Sequence, residues 1–252
     1  MIKKIDYQSG IVTGAGNGIG LYTVSNLLDN KYKVYAITKS KSILLEELKK
    51  KYNNKLIIHY QDITNFNKTK KLINKICLLE KNLCFLINNA GQRKRGAFLN
   101  LKIEDFIEVM NSNFFSHVNI TREFLKNTTN FKKNTYKIIF ITSIVGPRGF
   151  NELSSYAASK SALEALTKSL TVEFAGTNIY FNSIAPGFVK TSYASNFKKN
   201  KQKLHKWTIS KTPLRRWGEA SEIAEIVNFL ISNKSSYING ATLYADGGWS
   251  AE

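Results

Sequence analysis

The sequence has few cysteines, few acidic residues and no long apolar stretch, and each shortage excludes a class of protein. Its two cysteines, Cys77 and Cys84, lie among apolar residues at a spacing that matches no zinc site, so we expect reduced core thiols and no metal centre. No apolar run approaches the roughly 20 residues of a membrane span, and no signal-peptide core follows the basic start. We therefore expect a cytoplasmic protein without a membrane partner.

The shortage of acidic residues gives the chain a strong positive charge. Aspartate and glutamate total 18 against 37 lysines and arginines, which leaves a formal net charge of +19. Such an excess can indicate a nucleic-acid partner. Lysine is spread along the whole chain, however, and asparagine and isoleucine are also frequent. We interpret the charge as compositional drift and expect no nucleic-acid binding.

Strand and helix signals alternate from one end of the chain to the other. The strand candidates are residues 11–13, 33–37, 56–60, 83–87, 137–141, 180–184 and 241–244. The helix candidates are residues 19–29, 42–51, 64–79, 103–125, 155–175 and 219–230, and a loop-rich, lysine-rich stretch covers about 190–216. Most strand candidates are continuous apolar runs, which is typical of a parallel sheet covered on both faces. The pattern predicts an α/β fold: one Rossmann-type, doubly wound domain over residues 1–252, with a seven-stranded parallel sheet and helices on both faces.

A glycine-rich segment lies between the first strand and the first helix. It contains Gly14, Gly16, Gly18 and Gly20, with Asn17 and Ile19 between them. Glycines let a pyrophosphate approach the backbone, and the free N–H groups of the following helix face the anion. The segment predicts a dinucleotide site; a plain tight turn is the alternative.

With this glycine spacing, the chain resembles the short-chain dehydrogenase/reductase family. Further matches follow in order along the whole chain: Asn88-Asn89-Ala90-Gly91, Ser143, Tyr156-x-x-x-Lys160, Pro186-Gly187 with Thr191, and Asp246-Gly247-Gly248. The resemblance implies an NAD(P)-dependent oxidoreductase that interconverts a ketone and a secondary alcohol. It also implies a substrate lid at about 190–216, and a homotetramer with the helices around 103–125 and 155–175 at the dimer interface.

The candidate catalytic residues are Ser143, Tyr156, Lys160 and Asn113. Tyr156 and Lys160 share one face of a predicted helix, and a nearby ammonium favours the phenolate that exchanges a proton with the substrate. Ser143 ends the fifth strand, where its hydroxyl can stabilise charge on the substrate oxygen. The resemblance selects Asn113 over Asn111, bonded to helix backbone and to a water that relays protons to the lysine. It also gives Lys160 a second role at the nicotinamide ribose.

The resemblance assigns further residues to the cofactor. It places Asp62 at the adenine amino group, with Ile63 beside it, and Asn89 under the adenosine ribose. Val189 and Thr191 would contact the nicotinamide carboxamide. The remaining residues of the predicted cofactor site are Ala90, Gly91, Pro186 and Gly187.

The end of the second strand bears on the choice of cofactor. An acidic residue there would bind a free ribose and repel a 2′-phosphate, but this chain has Thr38 followed by Lys39. A lysine can pair with phosphate, although Lys39 is equally consistent with an ordinary surface lysine. Asn17 stands where NADP-preferring relatives often have a basic residue, and because asparagine is not basic, the support for NADP is only partial. We expect NADP(H), with NAD(H) as the alternative.

The substrate is expected beside three segments, residues 92–96, 146–155 and 190–216. The candidate substrate residues are Arg93, Arg148, Asn151 and Glu152. The cations in these segments indicate an anionic substrate, with general lysine enrichment as the other explanation. The ending Asp246-Gly247-Gly248-Trp249 resembles that of sugar-acid dehydrogenases of this family, which implies a small polar substrate such as a sugar or sugar acid. One alternative is a 3-oxoacyl-[acyl-carrier-protein] reductase, but Thr177 stands where such reductases usually carry an arginine. A cofactor-binding scaffold or sensor is the non-enzymatic alternative, and the intact catalytic set argues against it.

Overall fold

The computed structural model describes residues 8–128, 134–191 and 202–251. Within these ranges, seven strands form one sheet in which every neighbouring pair is parallel. They are β1 (Ser9–Thr13), β2 (Lys33–Thr38), β3 (Leu56–Tyr60), β4 (Leu83–Asn88), β5 (Tyr136–Ile141), β6 (Ile179–Pro186) and β9 (Thr242–Ala245). Two short strands pair separately, β7 (Val189–Lys190) with β8 (Gly218–Glu219).

Helices connect the strands of the large sheet. They are α1 (Gly18–Asp29), α2 (Ile43–Tyr52), α3 (Phe66–Leu79), α4 (Ile103–Met110), α5 (Ser116–Asn127), α6 (Ser154–Glu173), α7 (Gln202–Lys211) and α8 (Ala220–Ile231). A π-helical turn, Asn111–Phe115, joins α4 to α5. Among the described residues, no helix is both long and apolar enough to cross a bilayer.

The order of the strands fixes where a ligand can bind. Across the sheet the order is β3-β2-β1-β4-β5-β6-β9, so the direction of winding reverses between β1 and β4. In open parallel sheets, ligands bind outside the carboxyl ends of the strands at this reversal. The predicted Rossmann-type, doubly wound fold is confirmed, and the glycine-rich segment after β1 lies at the reversal.

Each apolar strand contributes to two cores, because successive side chains point to opposite faces of the sheet. Val12 and Ile87 pack with residues of α1 and α8 on one face. Ile11 and Leu86 pack with residues of α3, α5 and α6 on the other. This double coverage explains why the strands read as continuous apolar runs.

The two cysteines are free and lie at the edges of these two cores. Burial raises the pKa of each thiol to about 12. Both side chains therefore stay protonated at neutral pH and act as small apolar residues.

The largest difference from the sequence prediction lies in the stretch at 190–216, which was expected to be loop-rich. Its described part contains α7, whose Leu204, Trp207 and Thr208 lie on one helical face between lysines. Leu204 packs against the buried Trp217, a contact between residues distant in sequence. Because lysines lie between the apolar residues of this face, the local sequence pattern does not reveal the helix. Residues 192–201, with the predicted lid lysines Lys198, Lys199 and Lys201, lie outside the described residues.

Candidate active site

The glycine-rich segment forms a backbone cradle at the start of α1. Gly14 and Gly18 have positive φ angles of 64° and 49°, which favour glycine. A Cβ on Gly16 would lie 2.6 Å from Thr38 Oγ1, and one on Gly20 would lie 2.2 Å from the Gly14 carbonyl oxygen. The Asn17 side chain makes no capping hydrogen bond, so the first N–H groups of α1 are left for an anion. The cradle therefore fits the pyrophosphate of a dinucleotide.

Hydrogen bonds tie this cradle to the end of β4. Asn89 Nδ2 donates to the carbonyl oxygens of Thr13 and Gly14 at 3.0 and 3.1 Å. Thr13 Oγ1 accepts from the N–H groups of Asn89 and Ala90 at 3.0 and 3.1 Å. Asn89 thus holds the two strand ends together beneath the position that the family resemblance gives to the ribose.

A cavity of about 600 Å³ runs from this cradle to the ends of β2 and β3. The predicted cofactor residues that line it are Gly14, Gly16, Asn17, Gly18, Ile19, Thr38, Lys39, Asp62, Ile63, Asn89, Ala90, Gly91 and Thr191. Gly20 lies beneath the cradle instead. Lys41, Ser42 and Gln61 also line the cavity, and sequence reasoning missed them because such residues are common on any surface.

Lys39 and Asp62 form an ion pair at the rim of this cavity. Lys39 Nζ lies 2.8 Å from Asp62 Oδ2. Thr64 donates its N–H and its hydroxyl to Asp62 Oδ1 at 3.0 and 2.7 Å. Burial acts to raise the pKa of Asp62, but the bonds from Lys39 and Thr64 outweigh it and hold that pKa below its usual range. A cofactor phosphate that approaches Lys39 therefore competes with a carboxylate.

The candidate catalytic residues Tyr156, Ser143 and Lys160 meet in a second cavity of about 260 Å³ at the ends of β5 and β6. It is called the catalytic cavity below. The Ser143 hydroxyl lies close enough to Tyr156 to influence the pKa of its phenol. Lys160 Nζ lies 5.7 Å from the centre of the Tyr156 ring and donates to the Ile141 carbonyl oxygen at 2.7 Å. Pro186, Gly187 and Val189 line the same cavity, and Ile19, Asn89, Gly91 and Thr191 line both.

The surroundings of Tyr156 and Lys160 shift both pKa values. Burial raises the pKa of Tyr156, whereas the charge of Arg93 and the hydrogen bond with Ser143 act to lower it. Burial lowers the pKa of Lys160 to about 8. The ammonium form of Lys160 is therefore the major one at neutral pH and is lost above pH 8.

Asn113 lies in the π-helical turn, and its side chain is completely buried. Its Oδ1 accepts from the Gln92 N–H at 2.8 Å, and its Nδ2 donates to the Gln92 carbonyl oxygen at 2.8 Å and to Ser159 Oγ at 2.9 Å. Ser159 Oγ in turn donates to the Tyr156 carbonyl oxygen at 2.8 Å. The partners of Asn113 are therefore a loop and a serine, where the resemblance implied helix backbone.

The predicted substrate residues fall into two places. Arg93 lines the catalytic cavity, whereas Arg148, Asn151 and Glu152 line a neighbouring one. Sequence reasoning missed the apolar wall of the catalytic cavity, formed by Ile144, Val145, Phe150, Leu153, Phe188 and Trp217. One residue of this wall could have been predicted, because Phe188 directly follows the Pro186-Gly187 motif.

Comparison with known proteins places this geometry in a family. A family model described as enoyl-(acyl carrier protein) reductase, one of the short-chain dehydrogenase/reductase models, matches residues 14–250. The chain belongs to the short-chain dehydrogenase/reductase family. It is accordingly an NAD(P)-dependent oxidoreductase.

Relatives in this family cover nearly the whole chain. The 3-oxoacyl-[acyl-carrier-protein] reductase FabG of Rickettsia bellii is 35% identical over 243 residues, 96% of each chain. A structure of 4-hydroxyisoleucine dehydrogenase complexed with NADH is 30% identical, with a TM-score of 0.89 over 97% of this chain and 99% of that one. An Agrobacterium tumefaciens structure, described as a 2-deoxy-d-gluconate 3-dehydrogenase with bound NADP, is 27% identical, with a TM-score of 0.88 over 98% of each chain. These relatives are named for different substrates, so the family relationship alone does not identify the substrate of this chain.

Proposed function

We propose that this chain interconverts a ketone and a secondary alcohol with NADP(H), and that Tyr156 is the acid and base. One observation carries the proposal: Tyr156, Ser143 and Lys160 line one cavity, with Lys160 one helical turn from Tyr156, and this cavity adjoins the glycine cradle. The catalytic set is thereby assembled at the strand ends where this fold binds its ligands.

The nicotinamide, when bound, supplies or accepts the hydride. Because Ser143 and Tyr156 line the same cavity, one substrate oxygen can accept from both hydroxyls. In reduction, Tyr156 gives its proton to the developing alkoxide, and in oxidation it takes a proton from the alcohol. The Lys160 ammonium favours the phenolate in both directions. Asn113 serves as a positioning residue, because it holds the loop at Gln92 against the helix that bears Tyr156.

The choice of NADP(H) is supported by the end of β2. Thr38 and Lys39 line the adenosine side of the cavity together with Lys41 and Ser42, and none of the four repels a 2′-phosphate. NAD(H) remains the alternative, and Asp62 is the side chain that favours it, because it already neutralises Lys39.

For the substrate, we propose a small ketone that carries an anionic group, of which a sugar acid is one example. The supporting observation is that the Arg93 charge reaches Tyr156 from the same cavity. Reduction of a 3-oxoacyl thioester is the second candidate, favoured by the apolar wall of that cavity and by the FabG relatives.

The test is NADPH oxidation with a panel of keto acids, keto sugars and 3-oxoacyl thioesters, run beside NADH. We expect Tyr156→Phe to lower kcat about 10²–10⁴-fold, since it removes the general acid and keeps the ring. Tyr22→Phe, at an exposed tyrosine of α1, is the matched control and should match the wild type. Full turnover by Tyr156→Phe would overturn the proposal.

A further inference from the structure

Aromatic side chains from four separate stretches of the chain meet beside the catalytic cavity. Phe150 follows β5, Phe188 follows β6, Trp207 lies on α7 and Trp249 follows β9. The ring centroids of Phe150, Phe188 and Trp207 lie 5.8, 5.1 and 5.5 Å from that of Trp249. These four rings are called the aromatic chamber below. Because no single element supplies it, only the completed fold brings it together.

The aromatic chamber lines an open cavity of about 390 Å³. This cavity shares Arg95, Phe150 and Phe188 with the catalytic cavity, so the two spaces adjoin. A substituent on the substrate carbonyl can therefore extend from Tyr156 into the chamber.

Three polar residues at the chamber wall, Arg95, Arg148 and Thr208, have partners within the chain, although the buried Arg95 Nε has none. Arg95 pairs with Glu152 at 3.2 Å, and the Thr208 hydroxyl accepts from Trp217 Nε1 at 2.9 Å. Arg148 donates to a backbone carbonyl oxygen. Along most of the wall, a substituent covered with hydroxyl groups would have to break these bonds or leave hydroxyls unpaired. The parts of the wall that a ligand can contact without losing hydrogen bonds are the faces and edges of the aromatic rings.

The wall is also held in place by the turn before Trp249. The Asp246 carboxylate accepts from the N–H groups of Gly248 and Ser250 at 2.9 and 2.8 Å. Gly248 has a positive φ of 88°, and a Cβ there would lie 2.9 Å from the Pro213 ring. The turn thus fixes Trp249, and a rigid wall of this kind binds a matching group with little loss of conformational freedom.

We infer that the aromatic chamber receives a ring, or a similarly flat apolar group, carried by the substrate ketone. The inference rests on the proposed function, because it takes Tyr156 as the reacting centre. It narrows the proposed substrate to a ring-bearing ketone and selects against the sugar-acid example, and an anionic group next to Arg93 is compatible with it. Rings placed edge-on or offset against Phe150, Trp207 and Trp249 gain aromatic contacts in addition to burial.

The test uses two β-keto esters that differ in one group, ethyl benzoylacetate with a phenyl ring and ethyl acetoacetate with a methyl group. With the wild-type enzyme and NADPH, we expect kcat/KM for the phenyl ester to be higher by about tenfold or more, because its ring is buried. The Trp207→Ala variant should lower this ratio at least fivefold, and Trp207→Phe should restore most of it. Trp207 is 43% exposed, which makes its replacement compatible with folding. The control Tyr237→Ala, at a fully exposed aromatic residue, should leave the ratio unchanged.

The outcomes separate this inference from the proposed function. If the methyl ester or a keto sugar is turned over as well as the phenyl ester, or if Trp207→Ala keeps the wild-type ratio, the ring-binding role is wrong while the ketone reductase stands. If NADPH binds but neither ester nor any ketone of the wider panel is reduced, the proposed function itself fails. Retained NADPH binding by each variant shows that it is folded.

Discussion

At the scale of single residues, the proposed preference for NADP(H) depends on a lysine that already has a partner. Lys39 pairs with Asp62 at 2.8 Å, and the two side chains are 76% and 35% exposed. An exposed ion pair of this kind contributes little stability, so its partners can exchange at small cost. The 2′-phosphate of NADP can therefore take Lys39 from Asp62, whereas a free ribose hydroxyl has less to offer an ammonium.

We expect Lys39→Ala to raise KM for NADPH by roughly fivefold and to change KM for NADH by less than twofold, because only the phosphate loses a charged partner. Steady-state kinetics with both cofactors measures this. Lys70→Ala, at an exposed lysine of α3 outside the cavity, is the control. Equal effects on the two cofactors would show that Lys39 is an ordinary surface lysine.

A second residue, His117, makes the free energy of unfolding depend on pH. His117 is completely buried in α5, and burial, together with the charge of Lys160, lowers its pKa to about 3. The unfolded chain takes up this proton near pH 6.5, whereas the folded chain does not. The stability that follows is fully present above pH 6.5 and is lost as the pH falls from 6.5 towards 3.

We expect His117→Leu to weaken this dependence on pH. Between pH 7 and pH 5, the wild type should lose about 2 kcal/mol more of its free energy of unfolding than the variant, because one proton binds only the unfolded chain. Urea unfolding at both pH values, in the presence of a constant salt concentration, gives the difference. Equal losses in the two proteins would mean that His117 is protonated in the folded chain.

At the scale of elements, the π-helical turn shows how backbone geometry serves the candidate site. Asn113 uses three hydrogen bonds to hold the loop at Gln92 and the serine below Tyr156. Ser116 Oγ donates to the Asn111 carbonyl oxygen at 2.6 Å, across the widened turn. Such turns are rare inside α-helices and are frequent at functional sites.

Replacing Asn113 with alanine removes the hydrogen-bond partner of the Gln92 backbone and one of the two partners of the buried Ser159 hydroxyl. We expect Asn113→Ala to lower the free energy of unfolding by about 1–3 kcal/mol, and kcat to fall as Tyr156 loses its support. Asn119→Ala, at an asparagine of the following helix α5 with one exposed bond to the Phe66 carbonyl oxygen, should change both much less. Chemical unfolding and NADPH turnover of the two variants decide whether Asn113 positions the site.

The elements that could be predicted from sequence were those with a local signal. The parallel strands are continuous apolar runs, and the Tyr156–Lys160 spacing places both side chains on one helical face wherever that helix lies. The π-helical turn escaped prediction because its five residues carry no pattern that differs from an α-helix. The aromatic chamber escaped because its rings come from four distant stretches, and α7 because its apolar face depends on contact with Trp217.

At the scale of the whole molecule, apolar residues on and before α4 remain uncovered. Phe98 and Leu99 are 67% and 92% exposed, and Ile103 and Ile107 are 66% and 53% exposed. Contiguous apolar surface of this kind marks protein–protein contacts. It supports the prediction, made from the family resemblance, that this helical region lies at a dimer interface of a homotetramer.

We expect the wild type to sediment as a tetramer, and Ile107→Glu to shift it towards smaller species, because a charge would be buried in the interface. Leu78→Glu places the same charge at an exposed leucine of α3, outside the predicted interface, and should leave the sedimentation coefficient unchanged. A monomeric wild type would contradict the predicted assembly.

The distribution of tryptophan has a practical consequence. The sequence contains three tryptophans; two of them form part of the aromatic chamber, and the third, Trp217, lies with its ring 5.4 Å from Phe188. The tryptophan emission of the protein therefore originates in and beside the aromatic chamber. Binding of a ligand in the aromatic chamber can therefore be followed by tryptophan fluorescence, without a label and without turnover.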